Sequence, residues 1–426
     1  MAETKKRVLI VGGGFAGLNA AKALDGHDKV QVILIDERNY HLFQPLLYQV
    51  ATAGLNPADI ASPIRAQFDE ASNIEIHLRR VEKIDLQKRI AFTNSREIIF
   101  DYLIIACGAK HSYFAHPEWE EFAPGLKTLE QATEIRRRVL VAFENAENEL
   151  DEKKREALTT FVIVGAGPTG VELAGAIVDI SKTVLRSDFK RIDTAKSKII
   201  LVEAGPKVLA SFDPQLSQKA EKDLKDMGVD VRTHTKVENI DAEGVTVSGA
   251  VAGKIMTSTA IWAAGVQASK LEFMGPSVET DKAGRVKVAK DFSIAADKNV
   301  FVVGDMASFE YEAGKILPGL APVAIQSGKH VAKNILAECQ GKPREDFKYF
   351  DKGQMATIGK SRAIAQIGHK VHVSGRIAWL AWLFIHVFYL IGFKNRVAVL
   401  ASWAWSYLFS QRGSRLILEK SWKLEK

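Results

Sequence analysis

Two short stretches of this 426-residue chain hold residue types that grip a pyrophosphate: Gly12-Gly13-Gly14-Phe15-Ala16-Gly17 and Gly165-Ala166-Gly167-Pro168-Thr169-Gly170. The first glycine of such a loop (Gly12, Gly165) permits a tight turn, and the second (Gly14, Gly167) lets backbone approach the phosphates. The third (Gly17, Gly170) lets a helix pack closely on a strand. Unpaired N–H groups at the helix start, backed by the helix dipole, then favour the anion. After each loop, the next apolar run ends in an acid: Asp36, nineteen positions beyond Gly17, and Glu203. A carboxylate there can accept hydrogen bonds from ribose hydroxyls. Two loops imply two dinucleotides, held face to face so that electrons can pass between them.

The elements that must position these residues are legible as repeated strand–turn–helix–strand units. Arg7 to Val11 and Thr160 to Val164 read as first strands, Leu18 to Leu24 and Val171 to Val178 as helices, and Val30 to Ile35 and Ile199 to Val202 as second strands. Glu203 would bind both adenosine ribose hydroxyls and repel the 2′-phosphate of NADPH. Ala204-Gly205-Pro206 offers no arginine to welcome that phosphate, so NADH is expected at the second loop. Three further apolar runs end on small or acidic residues: Leu103 to Ala109 through Gly108, Ile261 to Gly265, and Val300 to Asp305. Small residues allow a cofactor close to the backbone, and Asp305 can accept from a ribityl hydroxyl of a flavin. Singly, each run is equally a buried strand ending in a turn. Their order around two dinucleotide loops is more specific.

That order resembles the two-dinucleotide-binding-domain flavoproteins, an α/β architecture of two Rossmann-like domains with the glutathione-reductase-like fold, over residues 7 to 340. The resemblance implies FAD at Gly12, Gly14, Gly17, Asp36, Gly108 and Asp305, and NADH at Gly165, Gly167, Gly170, Glu203 and Gly265. Within this fold, Asn39 to Gly54, including Phe43-Gln44-Pro45-Leu46-Leu47-Tyr48-Gln49, is similar to type II NADH:quinone oxidoreductases. So is Gly170-Val171-Glu172-Leu173, where the family places a glutamate near the nicotinamide and the flavin. So is Ala321-Pro322-Val323-Ala324-Ile325-Gln326, which resembles the family's Ala-Gln-x-Ala-x-Gln element beside the flavin and quinone pocket. Here Pro322 replaces the first glutamine and Gln326 remains. Proline is well tolerated in the first helical turn, and the helix start can still favour negative charge at the flavin.

The resemblance therefore implies hydride transfer from NADH to FAD and passage of two electrons to a membrane quinone, without proton pumping. Glu172 would order the site or relay protons, and Gln326 would hydrogen-bond a quinone carbonyl. The plainer alternatives are a first-turn carboxylate complementing a helix dipole and a core-facing polar group. His41 and His386 read as structural or interfacial. Rival functions are an NADH-dependent reductase of a soluble electron carrier and a non-enzymatic NADH-sensing flavoprotein resembling apoptosis-inducing factor.

Only two cysteines occur, Cys107 and Cys339, in no C-x-x-C or C-x-x-x-x-C pair. Neither a disulfide-reductase centre nor a metal site is expected, and the compartment reads as reducing.

Net charge is +7, and the segment 376–426 carries eight Lys/Arg against two Glu, a net +6, with five of the seven tryptophans. Its apolar runs are Ile377 to Phe393, seventeen residues, and Val397 to Phe409, thirteen, separated by Lys394-Asn395-Arg396. The longer run would make a helix of ~26 Å, short for a ~30 Å hydrocarbon core. Trp379, Trp382, His386, Tyr389 and Phe393 share one helical face, and Leu380, Phe384, Val387 and Ile391 another. Aromatic rings and flanking bases suit a lipid headgroup layer. Two amphipathic helices forming a monotopic membrane anchor are expected, on the cytoplasmic face of a bacterial inner membrane. A transmembrane hairpin and a homodimer interface are the alternatives. Nucleic acid is a poor partner, because the bases border apolar runs. Strand one begins near Arg7, leaving no room for a leader peptide. The expected domains are 1–115 with 285–345 for FAD, 158–284 for NADH, and 346–426 for anchoring and dimerisation.

Overall fold

The computed structural model describes residues 5–69, 72–368, 371–409 and 413–418. Contacts divide the chain into two compact units. The first comprises the chain up to Leu42, Ala61–Lys110 and Val266–Asp351; the second comprises Phe43–Ile60, His111–Gly265 and the chain from Lys352 onward. Residues 266–284 thus group with the first unit, and the C-terminal region groups with the second rather than standing apart.

The first unit is built on a six-stranded sheet in the order Ser293–Ile294, Asp297–Val302, Tyr102–Ile105, Lys6–Val11, Val30–Asp36, Ile74–Leu78. All neighbours are parallel except the first pair. Val8, Leu9 and Ile10 are fully buried, as expected for a parallel strand covered on both faces. Val11 lies opposite Ile35 on one side and Ile105 on the other. The strand register therefore delivers Asp36 and the Ala106–Gly108 turn to the two flanks of the first glycine loop.

The second unit repeats the device. Val229–Arg232, Lys198–Val202, Thr160–Val164 and Thr259–Trp262 form a parallel sheet in that order. Val164 lies opposite Val202 and Trp262, so Glu203 and the Ala263–Gly265 turn flank the second loop. Both positions are at the carboxyl ends of parallel strands, where open α/β sheets bind ligands.

The loop helices are Phe15–Leu24 and Pro168–Asp179, each starting three residues before the sequence suggested. The third glycine, a poor helix former, made the start look later. It lies inside the helix because only hydrogen fits there. A Cβ on Gly17 would run into the Gly12 carbonyl, and one on Gly170 into the Gly165 carbonyl.

Near its end, the second unit has an antiparallel sheet of Gln354–Thr357, Ala363–Ile367 and Val371–Ser374, followed by helices Gly375–Tyr389 and Phe393–Phe409. The break falls at Gly392, with φ +89°, rather than at Lys394-Asn395-Arg396. Those three residues open the second helix, and Arg396 reaches back to cap the first. Its Nε donates to Leu390 O at 2.8 Å and its second guanidinium nitrogen to Phe388 O at 3.0 Å. No described helix is long and apolar enough to cross a membrane. Trp422, Arg412, Lys420, Lys423, Lys426, Glu419 and Glu425 lie outside the described residues.

Candidate dinucleotide sites and a buried carboxyl

The two loops are held by the same pair of hydrogen bonds. In the first unit Asp36 Oδ2 accepts from Gly13 N at 2.6 Å and Oδ1 from Arg38 N at 2.7 Å. In the second, Glu203 Oε2 accepts from Ala166 N at 2.8 Å and Oε1 from Gly205 N at 2.7 Å. Each acid therefore ties the loop's second amide to the amide two residues beyond itself. Burial raises the Asp36 pKa and the two amides oppose the rise. Gly14 and Gly167 cap their helices in extended conformation, with open space where a Cβ would project. That is the clearance a pyrophosphate needs.

Other expected residues join these loops within each unit. A Cβ on Gly12 would collide with the Ala106 carbonyl, and Gly108 takes φ +70°. The Asp305 turn follows Gly304, whose Cβ position is 3.3 Å from Ala16 Cβ and 3.5 Å from Ala324 Cβ. Helix Ala321–Cys339 crosses the first loop helix so closely that a Cβ on Gly328 would strike the Ala16 carbonyl. In the second unit, a Cβ on Gly165 would come within 2.8 Å of Ala264, and Gly265 has φ +70°. Arg232, on the strand beside Lys198–Val202, holds its guanidinium on Asp230 at 2.7–2.9 Å.

His41 sharpens the first site. It is 2% exposed, its Nδ1 lies 3.0 Å from Gly13 O, and its ring stands edge-on to Phe15 at 5.0 Å. Burial lowers its pKa to about 4, so the ring is neutral. With Nδ1 donating to the carbonyl, Nε2 is an acceptor, and it has no partner among the described residues. A buried acceptor beside a phosphate loop suits a hydroxyl-bearing dinucleotide. The glycine clearances, Asp36 and this acceptor together fit FAD.

Neither cysteine suits redox chemistry. Cys107 Sγ lies 3.6 Å from Val11 O, and burial of the thiol pushes its pKa up to about 12. Cys339, half-buried, is also raised by burial. Both remain thiols at neutral pH, and the thiolate is the reactive form.

Glu172 sits one turn into the second loop helix. Some of the residue is accessible, but its carboxyl is enclosed, and that enclosure governs its proton affinity. Burial lifts its pKa to about 8, opposed by one hydrogen bond from Thr357 N at 3.5 Å. Glu172, Gly175, Ala176 and Asp179 share one helical face. Gly175 lets that face abut the turn after Gln354–Thr357, since a Cβ would collide with Gly359 N. Gly359, at φ +62°, completes that turn. The residues that sequence reasoning missed here are Tyr48, Thr357 and Gly359. Tyr48 lies in a segment singled out only by resemblance; the others lie in an unremarkable run.

Gln326 is in the first unit. Both ends of its amide engage one peptide: Nε2 donates to Phe350 O at 3.0 Å and Oε1 accepts from Phe350 N at 3.1 Å. Pro322 occupies the first turn of Ala321–Cys339, as anticipated. His386 is structural: stacked on Trp382 at 3.9 Å, with its pKa lowered to about 4 by burial.

The C-terminal helices turn Trp382 inward, while Trp405 is exposed. Trp382 is buried, and Trp403 and Tyr48 pack near it at 5.8 and 6.4 Å. Ile377, Leu380, Phe384 and Phe388 line the outer face of the first helix, each more than half exposed. The aromatic face is thus packed at Trp382 and exposed at Phe393, tryptophan offering the larger area for burial.

Comparisons with known proteins agree with this arrangement. The pyridine nucleotide-disulphide oxidoreductase family matches residues 6–328, and the NDH2 C-terminal domain family matches residues 352–412. The type II NADH:quinone oxidoreductase Ndh of Mycobacterium tuberculosis is 43% identical over 98% of this chain and 91% of that protein. That of Staphylococcus haemolyticus is 31% identical over 84% and 89%. The NDH2 structure from Plasmodium falciparum in complex with NADH superposes with TM-score 0.88 at 19% identity, covering 98% of this chain and all of that one. The sulfide:quinone oxidoreductase of Aquifex aeolicus shares the fold at TM-score 0.71 and 19% identity, with 95% of each chain covered. With two matching family regions and full-length relatives of that identity, this chain belongs to the type II NADH:quinone oxidoreductases.

Proposed function

We propose that the chain oxidises NADH by hydride transfer to FAD and delivers two electrons to a membrane quinone without pumping protons. The observation that carries this reading is the doubled cradle, with Asp36 and Glu203 bracing two glycine loops in the same way. The first loop, with Asp36, Gly108, Asp305 and the His41 acceptor, would hold FAD; the second, with Glu203 and Gly265, would hold NADH. Bound FAD supplies the two-electron carrier between nicotinamide and quinone. Each acid would exchange its amide bonds for ribose hydroxyls or share them.

Quinone reduction consumes protons, and Glu172 is suited to hold one. An enclosed carboxyl with a pKa of about 8 is neutral at pH 7 and can give up its proton without charge being stranded beforehand. Gln326 Nε2 spends one N–H on Phe350 O and has a second that could donate to a quinone carbonyl. In its present bonding it clamps the segment after its own helix.

The exposed apolar row on Gly375–Tyr389 is accompanied on the next helix by exposed Phe393, Val397, Leu400 and Leu408, and clustered exposed apolar side chains mark interaction surfaces. We assign it to the lipid surface, because exposed Arg376 and Lys394 adjoin it and favour anionic headgroups. NADH supply puts that surface on the cytoplasmic face of a bacterial inner membrane. A second copy could cover part of the same face. Mixing NADH-reduced protein with a short-chain quinone tests the reading. Oxidised-flavin absorbance should return with one quinol formed per NADH, and a flavin that quinone leaves reduced would count against it.

A further inference from the structure

A hydrogen-bonded thread runs through the second unit from its last helix to Glu172. The indole Nε1–H of Trp403, on helix Phe393–Phe409, donates to Gln49 Oε1 at 2.7 Å. Gln49 Nε2 donates to Tyr48 OH at 3.0 Å, and the Tyr48 hydroxyl lies 3.1 Å from Thr357 Oγ1. The Thr357 amide then reaches Glu172 Oε1.

The first bond fixes the sense of the next. An indole can only donate, so the Gln49 carbonyl must face it and the Gln49 amide nitrogen must face Tyr48. The phenol oxygen accepts there, and it shares a further hydrogen bond with Thr357 Oγ1 in which either hydroxyl can donate. Tyr48 and Thr357 are buried, where linked hydrogen bonds polarise each other and an unmade one is costly.

We propose that Trp403, Gln49 and Tyr48 are positioning residues that hold the Thr357 strand against Glu172, so that the seating of the last helix sets the hydrogen bonding of that carboxyl. The proposal rests on the reading of Glu172 as a proton carrier. The thread walls a cavity of about 70 Å³ that Trp382, Trp403 and Tyr407 also line. Packing on that side is therefore incomplete, and the hydrogen bond is what registers Trp403. Leu400 and Leu408 on the same helix are exposed, so a surface that engages them acts directly on the thread's outer end.

Few charges compete around the carboxyl. The titratable groups lining this cavity are Tyr48 on Leu47–Ala51, Asp179 on the Glu172 helix, Lys360 after Gln354–Thr357, and Tyr407 on the last helix. The enclosing helices also carry Arg376, His386 and Tyr389 on Gly375–Tyr389 and Lys394 and Arg396 on Phe393–Phe409, none of which lines it. Lys360 Nζ donates to Ser406 O at 2.9 Å, and burial raises the Tyr407 pKa. Burial pushes the Glu172 pKa up and the Thr357 amide opposes it. Loosening the thread removes that opposition.

The test is the pH profile of quinone reduction by the flavin-loaded full chain, for Trp403→Phe, Tyr48→Phe, Gln49→Met and Glu172→Gln. Tyr48→Phe and Gln49→Met remove polar atoms and keep bulk, Trp403→Phe removes the indole N–H with some volume, and flavin content per chain identifies those that fold. Glu172→Gln should abolish the ionisation near pH 8. The thread variants should move it upward by ~0.5 units, a ~3-fold change in proton affinity. If Glu172→Gln abolishes the ionisation and every folded thread variant leaves it in place, the thread is refuted and the role of Glu172 survives. If Glu172→Gln leaves it unchanged, both fail.

Discussion

At Glu172 local chemistry departs far from its ordinary behaviour, and the departure has a thermodynamic cost. Its carboxyl keeps its proton in the fold up to about pH 8, whereas the unfolded chain releases it near the ordinary 4.5. Between those values the native state binds more protons than the unfolded state, so stability falls as pH rises. It is undiminished by this group below about pH 4.5, and the loss is complete above about pH 8. The slope is at most ~1.4 kcal/mol per pH unit. Glu172→Gln should therefore flatten the decline of Tm between pH 6 and 8; parallel declines in both proteins would mean that the carboxyl is not buried in its acid form. Asp36 and Glu203 were legible as single residues, because an acid ending the second strand of such a unit is fixed by local spacing. Thr357 was not, because its link to Glu172 spans 185 positions and nothing in its neighbours announces it.

At the scale of elements, the glycine loops work because strand and helix approach closer than any side chain permits. Gly17→Ala and Gly170→Ala make the same steric error, each pushing a methyl into the carbonyl at the start of its loop. The expected outcomes differ with the loop. Gly17→Ala should lower FAD content, while Gly170→Ala should keep flavin and raise the NADH KM by ~10-fold or more, the equivalent of ~1.4 kcal/mol. Equal loss of flavin in both would mean that the loops do not serve separate dinucleotides. Strand and helix order could be read from the pattern because each unit spans few residues. Helix ends were less legible. Gly17 and Gly170 looked like loop, and the basic run Lys394 to Arg396 looked like a break. Arg396 is in fact the cap of the preceding helix, and positive φ at Gly392 makes the turn.

Over the whole molecule, the composition of the C-terminal region gave its amphipathic character but not which face is outside. Tryptophans placed by periodicity on one face could serve lipid or core, and here Trp382 serves the core while Leu380 and Phe384 are outside. Leu380→Ser with Phe384→Ser should weaken sedimentation with anionic lipid vesicles by ~10-fold or more, since each buried side chain is worth ~1.5–3 kcal/mol. Undiminished binding would move the lipid contact elsewhere. The central claim is that electrons pass from NADH to a quinone through this one chain, with Glu203 choosing the nucleotide. Steady-state oxidation of NADH and NADPH by the flavin-loaded protein, with a short-chain quinone as acceptor, tests it most directly. The account predicts rapid NADH oxidation matched by quinol formation, and kcat/KM for NADPH lower by ~10-fold or more, a difference of ~1.4 kcal/mol. Equal use of NADPH, or NADH oxidation that leaves the quinone untouched, would contradict it.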